Sequence, residues 1–514
     1  MAKTHSDRLH RLVRSLSSAE KRYFRIYVRG KTERDSKYLR LFELMAETEV
    51  LDENRLKSRL YDGKPPSSTH YTQLKAYLYE LILKCLQSFD EHQTAEYRIN
   101  QLLQGVTSLY KRGLYEDCLD LLKKAERLAK QHEAFAHRLE VIRWEKQLAY
   151  TRMDADYLHR HLEQLLHDEQ QVLDQLRNAA EYRKAFFQVY SATLQRASLQ
   201  RSAGPFGQIQ NIVDQEIFSS PDLAISHRAR VMYYRTLNIY HYGAMQYEQF
   251  YHTGKSLIGL LESQPHFLRE SLSEYIAALS NFILSCGLLG KYEEVRHSLL
   301  KLRSLRPITE DDRRKIHRQY FSNIFVLYIY TGELEEARRE MLRCQREAAD
   351  FDPKDYETAS FYFQYALICL GNADFSGALD HLNHWLGQPK SVEREDLQSL
   401  ARIMLLILHY EMGNTELLDS LLRSTIRFLR KKNRFFEVEK RFTHMIGDLS
   451  RAVSARDRHR AFEKMKRDLD REPPLPGAKT LLQTFDLSVW LQSKMSGQPF
   501  AVAMREQWVR QQKK

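Results

Sequence analysis

A turn signal that recurs about every 40 residues constrains the second half of this chain more than any other feature. The segments CGLLGKYEEVRHSLLKL (286–302), IYTGELEEARREMLRC (329–344), CLGNADFSGALDHLNHW (369–385) and HYEMGNTELLDSLLRST (409–425) can be laid over one another. In each, an apolar helix runs into a small residue at Gly290, Gly332, Ala373 or Gly413, and a second apolar helix follows. The spacings between those positions are 42, 41 and 40 residues. Fixed periods between about 20 and 50 residues mark helical arrays, whose units bury their apolar faces only against their neighbours.

Composition agrees with a chain built of helix. The 514 residues include only 19 Gly and 12 Pro, about half the usual share of chain breakers. A length of 514 exceeds what one compact core supports, so an extended array or several domains is expected. The five cysteines (Cys85, Cys118, Cys286, Cys344 and Cys369) show no CxxC spacing. That spacing predicts neither a disulfide framework nor a zinc site, and a reducing cytoplasm. The N-terminus is basic but lacks an apolar signal core, and no run is long and apolar enough to cross a membrane.

The first 95 residues do not follow the repeat. Ser17 and Glu20 form a candidate capping box, and Asp52 is a candidate N-cap for a helix over 52–61. A long helix over 70–89 places Leu74, Leu78, Leu81, Ile82, Cys85 and Leu86 on one face. The pair invites comparison with a helix-turn-helix, with His70, Gln73 and Lys75 near the start of its second helix; the turn is longer than that motif's. From 96 to 426 the chain reads as stacked helical hairpins, with further turns near 154–155, 201–207 and 243–245. Residues 427–514 change character and end in FDLSVWLQSKMSG (485–497), where Trp490 and Leu491 are expected to cover the open end of the array.

The clearest single unit is LYKRGLYEDCLDLLKKAERLA (109–129). Its Gly113, Tyr115, Cys118, Leu122 and Ala125 sit at offsets 0, 2, 5, 9 and 12. This resembles the tetratricopeptide (TPR) repeat. The later period of about 40 is longer than that repeat's, as in the stretched TPR arrays of bacterial peptide-sensing regulators. With SxxEKRYF at 18–24, YLYELILKCL at 77–86 and FDLSVWLQSK at 485–494, the whole layout resembles a family of bacterial TPR-like proteins. The resemblance implies an all-α, right-handed α-solenoid of about seven or eight hairpins, with a non-repeat helical head and a C-terminal capping helix. It implies no activity.

No phosphate-binding loop, HExxH, GxSxG or paired-cysteine signature occurs, so neither an enzyme nor a cofactor is expected. His159, Glu163 and His167 share one helix face but no second element, which predicts a polar stripe rather than a metal site. Aligning the hairpins places Asn281, Asn323 and Gln364 at equivalent positions of successive first helices, where amides can bind a peptide backbone, with Arg235 on the preceding hairpin. The favoured reading is a non-catalytic scaffold binding a protein or peptide on its concave face. Net charge offers an alternative: residues 1–40 carry +8, residues 427–514 carry +11 and the middle −7. In that alternative Arg8, Arg11, Arg14, Lys21, Arg22 and Arg25 touch the phosphates of a nucleic acid while the array senses a signal.

Overall fold

In a computed structural model the chain is all-α, with no strand among the described residues. These are residues 5–29, 37–48, 51–62, 68–90, 94–153, 155–199, 204–356, 359–387, 395–431, 437–471 and 486–512. By compactness the chain divides into two units. One comprises residues 1–184, 219–233 and 264–271; the other comprises 185–218, 234–263 and 272–514. The head expected over 1–95 therefore shares a compact unit with the first hairpins.

In the first unit, α1 (His5–Ser15), α2 (Ser18–Arg29), α3 (Lys37–Glu47), α4 (Glu53–Leu60) and α5 (Ser68–Asp90) enclose one core. Leu9, Val13, Phe24, Leu41, Phe42, Met45, Leu78 and Ile82 are almost wholly buried there, and the Phe24 and Phe42 rings lie 4.3 Å apart. The capping box forms: the Glu20 backbone donates to Ser17 Oγ and the Ser17 backbone donates to the Glu20 carboxylate at 2.6 Å. Asp52 accepts from the backbones of Asn54 and Arg55. Most of the turn between α4 and α5 (residues 63–67) lies outside the described residues. Lys75, set at the start of a helix that could read DNA, is instead buried, 2.6 Å from Glu53 and over the Tyr71 ring. Its charge belongs to the head's own packing, whereas His70 and Gln73 are exposed.

The unit continues through α6 (Ala95–Tyr110), α7 (Tyr115–Gln131), α8 (Phe135–Thr151) and the beginning of α9 (Ala155–Leu199). The weak signal between 155 and 199 is one 45-residue helix. Glu133 ties in the segment 219–233, because its carboxylate accepts from the His227 and Arg228 backbones at 2.7 and 2.9 Å. A carboxylate there satisfies amides that the start of a helix leaves without partners.

The second unit takes in the end of α9, α10 (Gly204–Val213) and most of α11 (His227–Gly243), then α12 (Tyr247–Glu262). The short α13 (Pro265–Glu270) returns to the first unit. Four hairpins follow: α14 (Leu272–Leu288) with α15 (Tyr292–Ser304), α16 (Glu310–Thr331) with α17 (Leu334–Glu347), α18 (Ala359–Gly371) with α19 (Phe375–Gly387), and α20 (Glu395–Glu411) with α21 (Thr415–Lys431).

One backbone device makes six of the turns between the described helices. Gly113, Met245, Gly290, Gly332, Ala373 and Gly413 are all left-handed, with φ between 58° and 74°. The following amide then reaches back five residues in each: Leu114 to Leu109, Gln246 to His241, Lys291 to Cys286, Glu333 to Tyr328, Asp374 to Cys369 and Asn414 to His409. This bond is the six-to-one bond of a Schellman motif, which satisfies a helix-end carbonyl while reversing the chain. Five residues beyond the turn position, Cys118, Val295, Ala337, Ala378 and Leu418 are buried where the two helices meet.

The chain ends with α22 (Glu437–Arg451), α23 (Ala455–Arg471), α24 (Leu487–Ser496) and α25 (Phe500–Gln512). Trp490 and Leu491 are fully buried, and Trp490 Nε1 donates to Glu411 at 2.7 Å while Lys494 pairs with the same carboxylate. α25 runs back to the turn at Gly332, where Arg505 Nη1 donates to the Thr331 carbonyl at 3.1 Å and to Glu333 at 3.0 Å. A Cβ on Gly332 would stand 2.6 Å from the Arg505 backbone nitrogen, so glycine is needed there for space as well as for φ.

Candidate binding face on the first helices

The first helices of successive hairpins, and the segment that leads into α18, are joined by side-chain hydrogen bonds about one repeat apart. Arg235 Nη1 donates to Glu274 at 2.8 Å, and its guanidinium lies 4.5 Å from the Phe186 ring centre. Ser273 donates to Asp312 at 2.9 Å and accepts from Lys315 at the same distance. Ser280 donates to Gln319 at 3.0 Å, and Arg314 donates to Asp355 at 3.2 Å. Tyr356 and His317 form a further rung, with burial holding the His317 imidazole below its ordinary pKa. A repeat near 40 places such pairs side by side, so the period itself brings these residues together.

Of the four residues expected to line a groove, Arg235, Asn281 and Gln364 bond across hairpins and Asn323 bonds within its own helix. Asn281 is exposed and donates to Asn238 Oδ1 at 3.4 Å, while Asn238 Nδ2 donates to the Phe250 carbonyl at 3.1 Å. Asn323 is half-buried and donates back to the Gln319 carbonyl of its own helix at 2.7 Å. Gln364 is buried and donates to the Ser322 carbonyl at 2.9 Å, leaving its Oε1 buried without a hydrogen-bond partner among the described residues. Arg235 is half-buried in its ion pair. The equivalent positions thus pass from exposed to buried along the chain, and their amide donors are engaged within the fold.

What stays accessible beside them is apolar. Leu284 and Val326, three residues beyond Asn281 and Asn323, are both more than a third exposed, as are Tyr242 and Tyr330 near the ends of their helices. The strings LSNFIL and FSNIFV carry this pairing of amide and apolar side chain. Their similarity is visible in the sequence. The partners Glu274, Asp312, Gln319 and Asp355 escaped it, because matching them needs the register between hairpins.

The basic head residues divide similarly. Arg8, Arg11, Arg14 and Arg22 are exposed. Arg25 is held by a two-pronged contact with Glu43 at 2.6 and 2.9 Å, which raises its pKa. Lys21 is half-buried, and burial together with Arg14 and Arg25 lowers its pKa. A cluster of like charge therefore sits where α1 meets α2.

Burial pushes the thiols of Cys286, Cys344 and Cys369 up to about 12, well away from the thiolate a nucleophile requires. His159, Glu163 and His167 are exposed along α9. No group of three or more His, Cys, Asp or Glu side chains among the described residues is placed to hold a metal ion. Likewise no helix among the described residues is long and apolar enough to cross a membrane. Comparison of the chain with protein-family models and with curated proteins gives no match.

Proposed function

We propose that this chain is a non-catalytic, TPR-like scaffold of the cytoplasm that binds a protein or peptide partner across its first helices. In this reading the hairpins stack as a right-handed solenoid of seven or eight units, and the face of their first helices is concave. The observation that carries it is the repetition of Asn281 with Leu284 and of Asn323 with Val326 on adjacent first helices joined rung by rung. An amide beside an exposed apolar side chain, repeated at fixed spacing, suits an extended segment that offers backbone polar groups and side chains in alternation. Buried, protonated cysteines support the non-catalytic part of the reading.

The test is a pull-down from native lysate with the full chain, followed by affinity measurement for the captured partner. Asn281→Ala combined with Asn323→Ala is expected to weaken that affinity by about tenfold, the loss of two modest hydrogen bonds. Unchanged affinity for both variants sinks the groove.

A second reading, a regulator whose head touches nucleic acid, is favoured by the exposure of Arg8, Arg11, Arg14 and Arg22. It predicts capture of nucleic acid that falls steeply between low and moderate salt, because each phosphate contact releases counterions. Groove packing predicts a shallow dependence.

A further inference from the structure

The hairpin α6–α7 has a feature that none of the rungs share. Its helices meet closely at Gly105, where an added Cβ would stand 2.8 Å from Leu121 Cδ1. From that contact toward the start of α6 they leave a groove of about 580 Å³. Leu102, Leu121 and Leu128, all half-buried, supply its apolar surface, and Gln101 and Gln131 lie on its lining. The remaining lining residues are Arg98, Lys124 and Arg127, with no acidic side chain among them.

The charges of α7 are sorted by face. Lys123 pairs with Asp120 at 3.9 Å and Lys130 pairs with Glu126 at 3.1 Å, both away from the groove. Lys124 and Arg127 face the groove, are exposed, and have no ion pair among the described residues. Lys124 and Arg127, without ion-pair partners among the described residues and beside half-buried leucine surface, lower the potential energy of an incoming anion. The apolar surface favours a partner that presents leucine-like side chains at helical spacing.

We infer that the α6–α7 groove docks an acidic amphipathic helix of a partner protein, its apolar stripe on Leu102, Leu121 and Leu128 and its carboxylates at Lys124 and Arg127. The inference rests on the scaffold reading and gives the partner a chemistry. The stretch from Leu121 to Gln131 spans about three helical turns, so a partner helix of about 14 residues covers it. Complementary charge at the rim sets orientation and selects against basic helices.

The test uses the full chain and three labelled 14-residue model helices, with leucine and glutamate, leucine and lysine, or alanine and glutamate on their two faces. Fluorescence anisotropy is expected to show the leucine–glutamate helix binding at least tenfold more tightly than either control. Lys124→Glu with Arg127→Glu is expected to erase that preference and to favour the leucine–lysine helix. Both positions are exposed, so folding should survive; Lys124→Gln with Arg127→Gln provides a milder variant if it does not. Equal binding of all three helices, no binding of any, or a preference untouched by the charge changes overturns the inference. So does a single-stranded oligonucleotide that binds in place of the helices and is lost in the same variants. If the leucine–glutamate helix fails while the Asn281 and Asn323 variants still weaken the captured partner, this groove is wrong and the scaffold reading stands.

Discussion

The turns at Gly332 and Gly413 have the same backbone and different surroundings. Their φ values are 71° and 73°, and each is followed by an amide that reaches back five residues at 2.9 Å. At Gly413 a Cβ would meet nothing within 4 Å, whereas at Gly332 it would run into the backbone of Arg505 and Met504. The local sequence writes the same turn twice, and the return of α25 makes one of them a packing site. A glycine at such a position can therefore be required for conformation alone or for conformation and space together, and the flanking residues do not say which.

The largest effect should come from Gly332→Ala. Strain at positive φ adds to a backbone collision, for an expected loss of about 2–4 kcal/mol, read as a lower midpoint in urea unfolding. Removing residues 500–512 should shrink that penalty to the value for strain alone; an unchanged penalty would show that the collision is not its source. Gly413→Ala and Gly113→Ala, with nothing near the new methyl group, should each cost about 1 kcal/mol. A loss at Gly413 as large as that at Gly332 would break the comparison. Ala373 occupies the same left-handed position at φ 58°. Ala373→Gly should relieve strain but enlarge the freedom of the unfolded chain, for a net gain of about 0.5 kcal/mol. Arg505→Ala should have the smallest effect, below about 0.5 kcal/mol, because the side chain is nearly half exposed and its pair with Glu333 is shared with Arg296.

The head offers a second contrast, since its helix starts were legible and its charges were not. Ser17, Glu20 and Asp52 announce helix starts because capping is a transaction among residues three or four apart. Lys75 and Arg25 look like surface cations in sequence. Glu53 and Glu43, from 22 and 18 residues away, give them structural partners. Among the groove residues, Asn281, Asn323 and Gln364 were legible as an aligned set. Their passage from exposed to buried was not, because it depends on what each neighbouring hairpin lays over them. The α6–α7 groove was hidden for a related reason: which basic residues of α7 lie beside Leu102 depends on how α6 packs against that helix.

By itself the sequence determined the helical class, the hairpin turns and their period, and the buried positions that follow each turn. All of these arise from interactions within about a dozen residues, where backbone conformation and side-chain spacing suffice. Tertiary structure alone decided the cross-hairpin partners, the single long helix after residue 155 and the return of α25 to Gly332. Those depend on which surfaces, tens to hundreds of residues apart, come within bonding distance, and no local preference encodes that.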